Sequence, residues 1–276
     1  MGLDRHGIGF IRYASTKQGL GDVATIGRQG LAITPSELQR VLGKPDAPHG
    51  EWGEPMLESL GASLVESFDN SDFEGATHLI DLNKDNDLPR QYDTIIDCGT
   101  TEHIFNAPKA LRTYTELCKI GGQIIHVLPS NNFNNHGFWQ ISPELFFSLY
   151  TEANGYGETE VFLCDMGERD FWYQVTPPSN GEWSDATSPR AMQVMCRTRK
   201  VRDVAEPVVQ QASYASSWEE PHAAKYKMSS RQRLKDAIEG TPLFSLARFA
   251  NRVLKPPETQ LRRNPDLTKR VIVELM

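Results

Sequence analysis

The chain has 276 residues, and its 39% hydrophobic and 24% charged composition is enough to bury a core, which excludes fibrous and wholly disordered classes. Its net charge of −7 is unevenly spread: residues 197–276 hold 16 Lys and Arg against 9 Asp and Glu, a net +7, leaving −14 on residues 1–196. The acidic body argues against nucleic-acid binding, and no window nears the roughly 18 consecutive apolar residues of a membrane helix.

No apolar stretch follows Asp4-Arg5-His6, so a cytoplasmic protein without signal peptide or transmembrane segment is expected. The cysteines (Cys98, Cys118, Cys164, Cys196) lie far apart, form no Cys-x-x-Cys pair, and read as reduced, buried thiols.

Short apolar runs separated by helical patterns predict βαβ units and a parallel sheet. Residues 23–26 are the first strand, closed by Gly27-Arg28-Gln29-Gly30. Thr34 then caps a helix whose first turn holds Pro35. After a loop at 43–55 come a short helix at 56–60 and a strand at 63–68 ending in Asp69. A third run spans 77–82 and a fourth 92–98, the latter stopping at Gly99-Thr100-Thr101-Glu102-His103. Residues 107–120 carry helical spacing, broken by Gly121-Gly122 before a strand at 123–128. A helix at 143–154 with Ser142 as cap, strands at 158–164 and 191–196, and a connecting loop at 176–189 complete the body. Residues 1–200 form one α/β domain on this reading, and 201–276 a C-terminal extension with helices at 230–239 and 243–254.

In an open parallel sheet, ligands bind beyond the carboxyl ends of the strands, so Gly27 to Gly30, Asp69, Asp81 to Asn83 and Cys98 to His103 are the candidate site. Carboxylates there suit the hydroxyls of a ribose and the amine of an adenine, although aspartate after a strand is also an ordinary turn residue.

Taken together, Asp69-Asn70-Ser71, Asp81-Leu82-Asn83, Leu88-Pro89, the strand 92–97, Glu102-His103 and Lys119-Ile120-Gly121-Gly122 resemble class I S-adenosylmethionine-dependent methyltransferases of the bacterial glycan- and small-molecule-tailoring type. The resemblance spans roughly residues 20–200. It implies a Rossmann-like, doubly wound, mostly parallel seven-stranded sheet with an antiparallel last strand, and S-adenosylmethionine as cofactor. It further implies that Asp69 binds the ribose, that Asp81 and the Leu82 backbone contact adenine, and that Cys98, Gly99 and Thr100 line the methionine end.

The first motif departs from the family pattern, offering Gly27-Arg28-Gln29-Gly30 with two glycines and no preceding acid. Arg28 either pairs with the cofactor carboxylate or fills the pocket. The missing third glycine argues against a nicotinamide enzyme.

Methyl transfer to a hydroxyl needs a base. His136, in the loop Asn131-Asn132-Phe133-Asn134-Asn135-His136-Gly137-Phe138-Trp139, is the first candidate and His103 the second. The asparagines, with Trp139, Trp172, Tyr173 and Trp183, suit a sugar or other polar small-molecule acceptor. No metal is expected, because the acids do not gather with His at ligand spacing. The 243–254 helix is amphipathic and basic, fitting docking on the core or a homodimer, with a membrane surface as an alternative. A catalytically inactive methyltransferase-like binding or scaffold protein, and a different nucleotide or nucleotide-sugar enzyme on a similar sheet, are the competing readings.

Overall fold

The computed structural model describes residues 2–177, 186–211, 241, 244, 260–262 and 264–276. The expected helix at 230–239 and Trp183 lie outside these residues, as does all of the expected 243–254 helix but Phe244, so the dimer expected through the second helix goes with them.

The chain opens with β1 (Gly2–Leu3) and α1 (Arg5–Lys17), then β2 (Gly21–Ile26), β3 (Gly30–Leu31), α2 (Pro35–Leu42), α3 (Glu54–Ser59), β4 (Ala62–Asp69) and β5 (His78–Leu79). There follow β6 (Tyr92–Cys98), a 3-10 turn (Thr101–His103), α4 (Ala107–Leu117), β7 (Cys118–Asn131) and α5 (Pro143–Leu149). The described residues end with β8 (Tyr156–Asp165), β9 (Phe171–Val175), β10 (Met192–Lys200), β11 (Leu267–Val271) and α6 (Ile272–Leu275).

Helix starts follow local chemistry. Asp4 accepts from the His6 and Gly7 amides at 2.9 and 2.8 Å to begin α1, and Thr34 and Ser142 cap α2 and α5 as their types predict.

The main sheet runs β11-β9-β8-β10-β7-β6-β2-β4-β5. It is parallel from β5 through β7 and antiparallel from there on, so that only β10 and β9 oppose the common direction. Nine strands therefore stand where seven were expected. The extra two, β9 and β11, extend the antiparallel edge, and β11 comes from the segment read as an extension.

One apolar layer lies beneath α4 and α5 (Ile95, Tyr114, Ile124, Leu128, Phe146), the other beneath α1, α2 and α3 (Ile8, Phe10, Leu38, Met56, Ile96, Ile125). The alternation of Ile95 and Ile96, and of Ile124 and Ile125, between the layers is the period of a strand covered on both faces.

Several elements differ from expectation, α5 among them, which ends at Leu149 and not at 154. Helix α4 stops at Leu117, because Cys118 adopts extended backbone and pairs with Tyr92 as the start of β7. The register then shifts around Gly121-Gly122, where a Cβ on Gly122 would lie 2.8 Å from the Asp93 carbonyl oxygen. Helix α1 was not foreseen: His6 to Ile11 are all buried, so it lacks a one-sided apolar pattern, and Gly9 lets it press on the Trp172 ring. The third expected strand shrinks to the two residues of β5, joined to β4 without a crossover helix and held by the Ser67 and Thr77 hydroxyls. All four cysteines are buried free thiols. Among the described residues no helix is long and apolar enough to cross a membrane.

Candidate functional site

From β2 the chain builds β4 and β5 on one side, then returns to build β6 and β7 on the other. The loops leaving β2 and β6 thus face each other where strand order reverses, the ligand crevice of open α/β sheets. Each loop begins with a glycine in the left-handed region, Gly27 at φ +74° and Gly99 at φ +81°. A Cβ on Gly27 would lie 2.9 Å from Thr100 Oγ1 and 3.9 Å from Asp69 Oδ2. Gly27, Asp69 and Thr100 therefore converge on space left open by a bare backbone. Thr100 Oγ1 donates to the Ile26 carbonyl at 2.7 Å, and Gln29 Nε2 donates to the same oxygen at 2.8 Å. The Gln29 Oε1 is buried without a hydrogen-bond partner. On the far side, Gly2, Leu3, Asp4 and Gly7 face Cys98 and Gly99 across a cavity of about 20 Å³.

A buried polar network fixes the turn after β6. Asp97 Oδ1 accepts from the Thr100 and Thr101 amides at 3.2 and 3.3 Å, and Oδ2 accepts from Thr101 Oγ1 at 2.6 Å. His126 Nδ1 lies 3.1 Å from Asp97 Oδ2, and its Nε2 lies 2.6 Å from the Tyr150 hydroxyl. The Asp97 partner favours the proton on Nδ1, leaving Nε2 to accept from Tyr150.

On this anchored turn stands Glu102, fully buried, with neither carboxyl oxygen in a hydrogen bond. His103 Nε2 and His136 Nε2 each lie 3.8 Å from its Oε1, and the two imidazoles meet edge to face at 5.3 Å. Burial first, and the Asp97 charge second, push the Glu102 carboxyl up to about 8. Burial and the neighbouring His136 lower the pKa of His103.

His136 reaches Glu102 because its loop folds over the turn. The Phe138 and Trp139 amides donate to the Glu102 carbonyl at 2.7 and 3.3 Å. Gly137 sits at φ +128°, and a Cβ there would be 2.8 Å from that same oxygen. Beside the cluster Phe105, Phe138 and Trp139 are exposed and in ring contact, with Trp139 Nε1 donating to the Ile104 carbonyl at 2.9 Å.

No family profile matches the chain, and no curated protein does. Among solved structures, the chain is similar to TehB from Haemophilus influenzae at 15% identity and a TM-score of 0.43, over 70% of this chain and 62% of that one. It is similar to an S-adenosylmethionine-dependent methyltransferase from Clostridium acetobutylicum at 11% identity and a TM-score of 0.30, over 71% of this chain and 74% of that one. It is also similar to the N-methyltransferase NodS from Bradyrhizobium japonicum in complex with S-adenosylhomocysteine, at 11% identity and a TM-score of 0.37, over 72% of this chain and 86% of that one. What bears on function is the strand order and the side chains at the strand ends.

The remaining candidate residues are placed as follows. Arg28 donates to Glu54 Oε1 at 2.7 Å and to the Glu74 carbonyl at 2.8 Å, and its guanidinium lies over the Trp52 ring. It clamps the segments that carry Trp52, Glu54 and Glu74. Asp81 is engaged by its own turn: Oδ1 accepts from the Asn83 amide and side chain at 3.0 Å, and Oδ2 pairs with Lys84 at 2.8 Å. Those bonds hold its carboxyl down at about 2. Leu82 points its side chain into the core, and the Cys98 thiol is raised by burial.

Trp172 and Tyr173 are fully buried, Trp172 against Phe10, Tyr13 and Phe162, so they present no face to an acceptor. Asn132 and Asn135 take left-handed backbone at φ 60° and 67°, a turn role, and Asn132 Nδ2 donates across to the Ser188 and Arg190 carbonyls at 2.9 and 2.8 Å. The expectation that no acid gathers with histidine does not hold: Glu102, His103 and His136 offer donor atoms within 4.8 Å of one another.

Sequence reasoning missed Asp97, Thr101, His126 and Tyr150 as a unit. The available signal was a carboxyl and an imidazole at core-facing positions of two adjacent apolar strands, each of which needs a partner once buried.

Proposed function

We propose that the chain binds S-adenosylmethionine in the crevice between the β2 and β6 loops and methylates a hydroxyl of a sugar or other polar small molecule, His136 being the general base. The observation that carries this reading is the convergence of Gly27, Asp69 and Thr100 at the switch point, directly beside the Glu102–His103–His136 cluster.

The residues fit the cofactor. Gly27 keeps side chains out of a cradle, Asp69 offers a carboxylate for vicinal hydroxyls, and the buried Gln29 Oε1 is an acceptor lacking a donor. When bound, the cofactor supplies a methyl group already activated on a sulfonium, so the protein's task is alignment and removal of a proton. His136 Nε2, buried 3.8 Å from Glu102 Oε1 without a hydrogen-bond partner, is the atom proposed to take that proton. Phe105, Phe138 and Trp139 offer the acceptor an apolar face for stacking.

Thermal unfolding with S-adenosylmethionine, S-adenosylhomocysteine and NAD tests the reading. At 100 times its dissociation constant a ligand adds about 2.7 kcal/mol of stability. A shift with the first two alone supports it, and none with either overturns it. The competing reading, a methyltransferase-like binding or scaffold protein without turnover, draws on the engagement of Arg28 and Asp81 within the fold. It predicts no shift.

A further inference from the structure

We propose that Glu102, His103 and His136 form a site for one divalent ion of the manganese-to-zinc series, bound beside the crevice. The ion's task rests on the methyltransferase reading above, whereas its binding does not.

Three observations carry the proposal. First, the donors are a carboxylate and two imidazoles, a set that suits first-row transition ions, whereas magnesium and calcium prefer oxygen ligands throughout. Second, both Glu102 oxygens and His136 Nε2 are buried without any hydrogen-bond partner, although a buried polar group without a partner costs on the order of 1–3 kcal/mol. One cation among them would satisfy all three atoms. Third, both imidazole nitrogens already lie 3.8 Å from Glu102 Oε1. Ligands on bonds of about 2.1 Å stand roughly 3.0–3.4 Å apart, so each imidazole nitrogen needs to approach Oε1 by about 0.4–0.8 Å, and all donors already lie within 4.8 Å of one another.

The surroundings match a ligand site that stays open on one face. The Glu102 side chain is sealed in, while the His103 and His136 side chains are 47% and 37% exposed, so the cluster has one side open to solvent. Asp97 and Thr101 brace the turn from beneath, and the Phe138 and Trp139 amides brace it from above. An ion held there would coordinate an acceptor hydroxyl and lower its pKa. The O–H bond breaks, the proton leaves to water, and the electron pair stays on oxygen with no change of oxidation state. With the ion bound, His136 Nε2 is a ligand and not the base, and the ion's lowering of the hydroxyl pKa takes the place of general-base catalysis.

The test is titration of the chelator-treated full chain with Co²⁺ alone, followed by visible absorption and calorimetry, and then displacement by Zn²⁺. The expected result is one equivalent of Co²⁺ with a visible band, weakened at least about tenfold in Glu102→Gln and His136→Ala. Circular dichroism and S-adenosylhomocysteine binding report whether each variant keeps its fold and cofactor crevice. If either variant fails to fold, His103→Gln, on the half-exposed ligand, takes its place. Absence of stoichiometric binding, or binding unchanged in the variants, overturns the proposal. Co²⁺ binding without S-adenosylhomocysteine binding would uphold the ion site and sink the methyltransferase reading, while the reverse would sink the ion site alone.

Discussion

Glu102→Gln in chelator-treated protein should change how stability depends on pH. The Glu102 carboxyl is fully buried, neither oxygen is hydrogen-bonded, and burial with the Asp97 charge raises it from 4.5 to about 8. Between those two values the folded chain holds a proton that the unfolded chain has released. Stability from this group is therefore fully present below about pH 4.5 and is lost as pH rises through 8, with a slope of about 1.4 kcal/mol per pH unit. From pH 5.5 to 7.5 the wild type should lose on the order of 2–3 kcal/mol that the neutral glutamine does not lose. Urea unfolding of both proteins at pH 5.5, 6.5 and 7.5 measures the difference directly. Curves that run parallel across this range would show that Glu102 is ionised in the folded state and would refute the account of the cluster's electrostatics.

Tyr150→Phe removes the hydroxyl 2.6 Å from the buried His126 Nε2, and should cost about 1–3 kcal/mol in urea unfolding; a cost near zero would mean the network does not brace the turn. Gly137→Ala places a Cβ 2.8 Å from the Glu102 carbonyl oxygen at a φ of +128°, so it should destabilise by about 1–3 kcal/mol and lower turnover by displacing His136. Unfolding curves and single-turnover assays check both effects, and wild-type values for both would remove the reason given for that glycine. Asp81→Ala breaks only bonds within its own turn and to Lys84, so calorimetry should find S-adenosylhomocysteine binding within a few-fold of wild type. A loss as large as that from Asp69→Ala would restore Asp81 as a cofactor ligand.

The parallel half of the fold was legible because each strand is a short apolar run with polar punctuation. The run 92–98 matches β6 residue for residue, and Thr34-Pro35 marks the start of α2. The antiparallel edge was not legible, because β9 and β11 are ordered by pairing between residues 92 to 100 positions apart, from Leu267 with Val175 to Val271 with Phe171. The α4–β7 boundary misled because Cys118 and Ile120 continue helical spacing while their backbone is claimed by the strand partner Tyr92. At the site, Gly27, Asp69 and Thr100 could be read from their places at strand ends. The Glu102 cluster could not, since a loop leaving β7 must fold across the turn after β6 before His136 meets its partners. The partners of Arg28 were hidden for the same reason, its clamp on Glu54 and Glu74 being tertiary.

The most direct test of the central claim is isothermal titration of S-adenosylhomocysteine into the wild type, Asp69→Ala and Glu102→Gln. One site per chain is expected in the wild type, lost or weakened at least tenfold in Asp69→Ala and retained in Glu102→Gln, whose carboxyl is buried against His103 and His136. No binding to the wild type, or equal binding to wild type and Asp69→Ala, would contradict a cofactor site at the β2–β6 switch point.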